Sequence, residues 1–401
     1  MINQILKKHF KTLPAHVEIS CGIKDNIADI VIGRSSGKSF VVVSDDNTHK
    51  ILGEKIVKSL SAYKTGSIVL KPSIADERSV EKVRSRIQEY DTVIAVGSGT
   101  INDICKYASF CEKKPYMVFG TAPSMNGYSS ANASISVNGH KKTLKAHLPA
   151  AIFLDIDILA AAPKRLILSG LGDSVCRPTA QADWLLSHLL LNTEYNTSPF
   201  EMLRPFEKDL FENSGELLKG NKEIIELLAQ TLVLSGFGMY MCGGSYPASQ
   251  GEHMIAHTME MVYKGLPHSF HGEQIAVTTL AMSRIIEEKL QSTPIISQNY
   301  DEKAITDFFG KEISEQCLAE YKEKLLSPEK PDKINNDIAT KWEEVCGKIS
   351  EIFIGYDPIY KTLKNASAPV SCHDIGWKES EFKKAVSYAK YSRNRFTFLD
   401  L

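Results

Sequence analysis

A chain of 401 residues is longer than one small hydrophobic core organises, and at roughly 100 to 200 residues per domain it predicts two domains. A hydrophobic fraction of 43% with 24% charged residues is that of an ordinary folded soluble protein. The formal net charge of -1 removes any electrostatic case for nucleic acid or an anionic membrane as partner, which leaves small molecules.

In chain order, Ser39 to Ser44, Ser67 to Leu70, Thr92 to Val96 and Tyr116 to Phe119 read as strands, because they are short, apolar without alternation, and β-branched or aromatic. Between them Thr48 to Leu60, Ile74 to Glu89 and Thr100 to Cys111 have helical spacing with charged outer faces. Strands alternating with helices predict a parallel sheet covered on both faces. After about Pro163 the strand signals stop. Helical patterns then cover Ser174 to Leu191, Asn221 to Met241, Glu252 to Tyr263, Glu273 to Leu290, Glu302 to Phe309, Glu312 to Leu325 and Lys341 to Phe353. Leu326 to Asn336, rich in Pro and Lys, reads as an exposed loop. The expected organisation is an α/β nucleotide-binding domain over 1–163, Rossmann-like, followed by an all-α metal- and substrate-binding domain over 164–401.

The uncharged run from Leu227 to Gly251 has the length of a membrane span, but five glycines, Gln230 and Pro247 interrupt it, so a buried helix followed by a turn is expected instead of membrane insertion. The eight cysteines are scattered without a Cys-x-x-Cys pair, and no secretory leader opens the sequence. This usage favours reduced thiols in the cytoplasm over a disulfide framework or a cysteine zinc site.

Asp91 to Thr100 reads as a strand, a glycine turn at Gly97-Ser98-Gly99, and a helix starting near Thr100. Such glycines let the backbone approach a pyrophosphate, and the helix N-terminus offers free N–H groups and a positive dipole end. Alone this signal is weak, since Gly-x-Gly after a strand is more often just a turn. Asp45 ends the first predicted strand, where a carboxylate can accept bonds from a ribose diol and would repel a 2′-phosphate, favouring NAD over NADP. Its competing reading is a cap for the next helix. Thr121-Ala122-Pro123-Ser124 follows another strand and brings two hydroxyls to the same carboxyl edge, where open α/β sheets bind ligands.

Asp173, His253 and His271 are potential metal ligands. One carboxylate and two imidazoles hold a divalent ion while leaving positions open for substrate oxygens, which suits a Lewis-acid catalyst better than a structural site. His253 and His257 are four apart and share a helix face, and Glu252 precedes His253, so this is not the His-Glu-x-x-His zincin pattern. Spacing alone leaves all three histidines as candidates.

Taken together, Gly97-Ser98-Gly99-Thr100, Thr121 to Ser124, Ser169 to Asp173, Gly251 to His257 and His271 to Gln274 resemble, in this order, the sn-glycerol-1-phosphate dehydrogenases. That family sits beside the glycerol dehydrogenases, the iron-containing alcohol dehydrogenases and the 3-dehydroquinate synthases, so the resemblance implies a dehydroquinate synthase-like fold. It covers roughly residues 15 to 290. It implies that Asp173, His253 and His271 bind the metal, usually zinc, with nickel or iron as alternatives, and that Asp173 and His257 contact substrate and serve catalysis. Gly97, Ser98, Gly99, Thr100, Ile101, Thr121, Ala122, Pro123, Ser124, Ser130 and Asp45 are implied to line the site for NAD(H) or NADP(H). The resemblance also implies a homo-oligomer. One departure stands out: the family's substrate-contacting aspartate is Asn126 here, and an amide hydrogen-bonds a hydroxyl without charge or proton-accepting capacity.

The implied reaction is reversible reduction of dihydroxyacetone phosphate to sn-glycerol 1-phosphate in phospholipid backbone metabolism. A glycerol or other polyol dehydrogenase, a 3-dehydroquinate synthase-like lyase and an inactive nucleotide-binding protein are the rival readings. For the phosphate, Lys141, Lys142, Lys145 and Arg177 are the sequence candidates, none of them singled out.

Overall fold

Strands β1 (His16–Ser20), β2 (Ser39–Asp45), β3 (Lys64–Leu70), β4 (Thr92–Gly97), β5 (Tyr116–Gly120) and β8 (Ala151–Asp155) form one sheet in the computed structural model, which describes residues 2–137, 140–296, 300–325 and 330–401. Their order is β1-β8-β5-β4-β2-β3 and every neighbouring pair is parallel. Strands β6 (Asn132–Val137) and β7 (His140–Lys145) pair antiparallel outside it. Every residue of β4, β5 and β8 is buried, as is Phe40 to Ser44 of β2. A strand covered on both faces has no solvent side, which is why these segments are apolar without alternation. Phe40, Val42, Ile94, Val96, Met117, Phe119 and Phe153 pack on one side with Ile27, Val31, Leu52 and Ile56.

The predicted α/β start and helical remainder are both present. Predicted strands are found with longer ends, and β1, β8 and the β6–β7 pair join them. Two helical expectations need correcting. Ser174 to Leu191 is not one helix: Lys164–Val175 and Arg177–Leu191 break at Cys176, because Pro178 lacks an N–H and its ring crowds the carbonyl four residues back. The expected loop to Asn336 is helical from Lys330 onward, in Lys330–Ser350, with Pro331 in the first turn, where a missing N–H costs nothing. Residues 326–329 of that loop lie outside the described residues.

The chain divides into two units, Met1–Gly170 with Glu201–Met241, and Leu171–Phe200 with Cys242–Leu401. The sequence reading sets one boundary at 163, whereas the sheet-bearing unit also takes in the helix Lys222–Met241. That helix packs on the 126–129 turn: a Cβ at Gly236 would collide with the Ser129 hydroxyl and the Asn126 carbonyl, and Ser129 Oγ donates to the Val233 carbonyl at 2.6 Å. Among the described residues it is the one helix long and apolar enough to cross a membrane, and 67% of its apolar window is buried. The second unit is helical. Ile334, Ile338, Trp342, Val345 and Ile349 recur every three or four residues along Lys330–Ser350 and bury against Leu186, Met254, Met282, Phe396 and Phe398.

Candidate active site

Two sets of residues carry chemistry, one in each unit. In the sheet-bearing unit the strand order reverses at β2 and β4, since β3 lies outside β2 on one side and the chain returns to β4 on the other. Val43 lies opposite Ala95, and Gly97 opposite Gly120, so Asp45, Gly97 and Thr121 arrive at one carboxyl edge beside that switch point, where doubly wound sheets bind ligands. Helix Gly99–Cys111 starts there. Ser98 makes no capping bond with its side chain, and the first N–H groups of a helix have no intrahelical acceptor. A Cβ at Gly99 would meet nothing nearer than Met125 at 3.8 Å, so the approach to this N-terminus is open, whereas one at Gly97 would press Ile101 at 2.8 Å. Open space over uncapped amides fits a pyrophosphate.

Other nucleotide candidates have structural partners as well. Asp45 Oδ1 caps the following turn, accepting from the N–H groups of Asn47 and Thr48 at 2.9 and 2.8 Å, so the capping reading holds for one of its oxygens. The carbonyls of Ala122 and Ser124 accept bonds from Tyr128 and Ser169, which fixes the Thr121 to Ser124 loop. Ser130 shares its hydroxyl with Lys106, a fully buried lysine that sequence reading passed over. Lys106 Nζ donates to the carbonyls of Gly127 and Asn132 at 2.6 and 3.0 Å and holds the loop that carries Asn126. Asn126 Nδ2 donates to Ser235 Oγ at 3.4 Å.

In the helical unit the metal candidates converge. Helix Gly251–Val262 carries His253 and His257, and helix His271–Leu290 opens with His271. A Cβ at Gly172 would collide with the Gly272 carbonyl, so glycine there allows the close backbone approach that brings Asp173 beside His271. The ligand atoms of Asp173, His253 and His271 all lie within 4.8 Å of one another. The two Nε2 atoms are 3.3 Å apart, and Asp173 Oδ1 is 4.0 Å from each. Two nitrogens bound to one tetrahedral zinc are roughly 3.3–3.4 Å apart, so the histidine pair is spaced for one ion. The carboxylate stands about half an ångström beyond the regular edge. His253 Nδ1 donates to Glu252 Oε1 at 2.8 Å, which turns the lone pair of Nε2 toward the group. Gln250 N also donates to that oxygen at 2.7 Å. Burial pushes the Glu252 carboxyl up, but the hydrogen bonds it accepts, from His253 foremost and from Gln250 N, outweigh it and hold the group below its usual value.

His257 is held differently. Arg393 Nη2 lies 2.9 Å from its Nδ1. A guanidinium has no acceptor, so Nδ1 must accept and the ring proton sits on Nε2. That tautomer offers a donor where a metal would need a lone pair. A second grouping, Cys176 with Glu252 and His253, is also close enough for an ion. Burial first, then the charges of Glu252 and Asp173, push the Cys176 thiol far up, and Glu252 Oε1 already accepts two bonds, so this set supports the triad. Arg393 and Lys106, which the structure places beside these candidates, carry no local signal in the sequence, whereas Glu252 is marked by its adjacency to His253.

Residues 22–163 match the family described as iron-containing alcohol dehydrogenase. Over 94% of its length the chain superposes on 90% of the glycerol dehydrogenase of Schizosaccharomyces pombe, with a TM-score of 0.59 and 19% identity, a likeness of fold. Sheet, switch point and helical unit therefore define the class: the fold of the iron-containing alcohol dehydrogenases. Within it the chain belongs to the glycerol-1-phosphate dehydrogenase family. It is 32% identical over 402 residues to the glycerol-1-phosphate dehydrogenase (NAD(P)+) of Bacillus subtilis strain 168, covering 97% of this chain and 92% of that one. It is 31% identical over 346 residues to the Geobacillus thermodenitrificans protein of the same name, covering 82% and 83%.

Proposed function

We propose that the protein is an NAD(P)-dependent, metal-dependent oxidoreductase that interconverts dihydroxyacetone phosphate and sn-glycerol 1-phosphate, supplying a phospholipid backbone. The observation that carries this reading is the Asp173, His253 and His271 triad, whose ligand atoms lie within 4.8 Å of one another, in a chain whose relatives bear the name glycerol-1-phosphate dehydrogenase. Asp173, His253 and His271 would hold the metal. When bound, a divalent ion, zinc foremost, with nickel or iron as alternatives, polarises the ketone, and the reduced nicotinamide supplies the hydride.

The chain's own residues do the rest. Glu252 keeps His253 in the ligating tautomer. His257, with its proton on Nε2, donates a hydrogen bond to the oxygen that becomes the alcohol, the proton itself coming from solvent, and Asp173 contacts substrate beside it. Asn126 hydrogen-bonds a substrate hydroxyl through its amide. The uncapped turn from Gly97 to Ile101 receives the pyrophosphate, with Thr121 to Ser124 and Ser130 around it, and Asp45 turns its second oxygen to the ribose, which favours NAD. Cytoplasmic location and homo-oligomeric assembly belong to the same reading. Eight cysteines, all free thiols, support the first, and the family resemblance supports the second.

The test is a nicotinamide-absorbance assay of metal-replete protein with dihydroxyacetone phosphate, sn-glycerol 1-phosphate, sn-glycerol 3-phosphate and glycerol side by side. The expected result is oxidation of sn-glycerol 1-phosphate and reduction of the phosphorylated ketone, with the 3-phosphate inert. Turnover of glycerol but of neither phosphate ester would assign the protein to the polyol dehydrogenases instead.

A further inference from the structure

We propose that Arg393, with Arg395 behind it, forms the anion subsite that receives the phosphate ester of the substrate. The inference rests on the functional reading above and deepens it, since the family assignment leaves open which cation holds the phosphate.

The C-terminal segment is pinned so that it presents these two side chains. Lys324 Nζ, fully buried, pairs with Asp400 at 2.7 Å and donates to the carbonyls of Lys390 and Arg395 at 2.6 and 3.1 Å. Phe398 N donates to Asp183 Oδ1 at 2.8 Å, and Phe396 and Phe398 are buried in the helical core. Between these anchors Arg395 N donates back to the Arg393 carbonyl at 2.9 Å in a tight turn, and the two guanidiniums are near enough for the charge of Arg393 to act on Arg395. Arg395 donates to the Ser249 carbonyl and to Ser245 Oγ and lies over the Tyr246 ring at 4.6 Å. It is a fixed structural cation.

Arg393 is different. Of its five donors, the bond to His257 Nδ1 is the one made among the described residues, and the side chain is only partly covered. The carboxylates that favour its charge, Glu320 and Glu252, act through space. Glu320 Oε2 accepts from Asn394 N at 2.8 Å, and Glu252 Oε1 accepts from Gln250 N and His253 Nδ1. Burial lowers the pKa of both arginines, and burial together with Arg393 brings Arg395 down to about 10. Two adjacent cations without a contacting counter-ion among the described residues suit an anion site, and a guanidinium fork matches a phosphate with two parallel bonds.

The distances suit a triose phosphate. His257 stands between the two functions, its ring centroid 6.1 Å from that of His271 and its Nδ1 2.9 Å from Arg393. The ketone carbon and the phosphorus of the ester are three bonds apart, roughly 4 Å end to end. The sequence candidates fit less well. Lys142 and Lys145 are exposed on β7, the side chain of Lys141 lies outside the described residues, and Arg177 donates to Gln181 at 3.1 Å and lies over Phe200.

The experiment is calorimetric titration of inorganic phosphate into the full-length, metal-loaded protein, wild type and the variants Arg393→Gln and Arg393→Lys, alongside steady-state kinetics. Thermal melting and NADH affinity show that each variant is folded. Arg393→Gln is expected to weaken phosphate binding and to raise the KM for dihydroxyacetone phosphate by roughly 10- to 100-fold, the loss of a charged hydrogen-bonded pair, and to lower kcat as well, since Arg393 also holds His257. Arg393→Lys should fall between. Wild-type protein that binds no phosphate would overturn the subsite, as would a folded Arg393→Gln variant with native phosphate affinity and KM. Phosphate binding lost with Arg393 in a protein that oxidises only glycerol would instead sink the functional reading and leave the subsite standing.

Discussion

His253 and His257 share one face of one helix, and their roles separate through what stands behind each ring. Glu252 accepts from Nδ1 of His253, so Nε2 keeps its lone pair, whereas Arg393 donates to Nδ1 of His257, so Nε2 keeps its proton. The same side chain is thereby suited to be a ligand in one case and a hydrogen-bond donor in the other. His253→Ala and His271→Ala are expected to lose bound metal and turnover together. His257→Asn should retain metal at wild-type stoichiometry while turnover falls by roughly 10² to 10³, the usual contribution of one positioned donor to a developing alkoxide. Metal analysis of the purified variants beside kcat decides it: a His257 variant without metal and a His253 variant with it would reverse the assignment. From spacing alone this distinction could not be read, because Arg393 lies 136 positions from His257 and carries no local mark of its role. The proposed ligands Asp173, His253 and His271, by contrast, stand in recognisable motifs.

At the level of elements, the strands of the buried sheet were the easiest to read, since burial on both faces leaves an unbroken β-branched run. β8 was missed because Ala151–Asp155 continues into the apolar stretch Ile156–Ala160, and periodicity cannot divide a strand from a helix inside one apolar run. β1 was missed because His16 and Glu18 break its apolar character. The anchoring of the C-terminal segment was beyond sequence reading altogether. Asp183, fully buried, accepts from Gly251 N at 3.0 Å with one oxygen and from Phe398 N at 2.8 Å with the other, tying the start of the His253 helix to the end of the chain. Asparagine has one acceptor oxygen, and its NH₂ would face a backbone N–H. Asp183→Asn is therefore expected to lower the free energy of unfolding by about 1–3 kcal/mol, the cost of one buried donor left unsatisfied with a second set against it. Denaturant melts with an unchanged m value measure this. A stability loss below a few tenths of a kcal/mol would show that the two backbone donors find other acceptors.

At the scale of the molecule, the division of labour follows the two units. Every residue assigned to the nucleotide, and Asn126, belongs to the unit of Met1–Gly170 and Glu201–Met241, while Asp173, His253, His257 and His271 belong to the other. The sequence showed the change from strands to helices near Pro163. It did not show that Lys222–Met241 returns to the sheet-bearing unit, since a long apolar helix looks alike whichever surface buries it.

Because all three proposed ligand side chains come from one unit, metal should stabilise that unit by mass action while the other gains nothing directly. At a free metal concentration 100 times Kd this amounts to about 2.7 kcal/mol. Chelation is therefore expected to speed amide hydrogen exchange in the helices Gly251–Val262 and His271–Leu290, whose first turns carry the proposed ligands His253 and His271. Protection of β4 and of the helix Gly99–Cys111 should remain, together with NADH affinity. The reverse experiment uses NADH on the chelated protein and should protect Gly99–Cys111 without restoring the histidine helices. Exchange that rises equally in both units on chelation would mean that the ion's stabilising effect is not confined to the unit that supplies its ligands. Unchanged exchange at Gly251–Val262 in protein shown to have lost its metal would remove Asp173, His253 and His271 as its binding site.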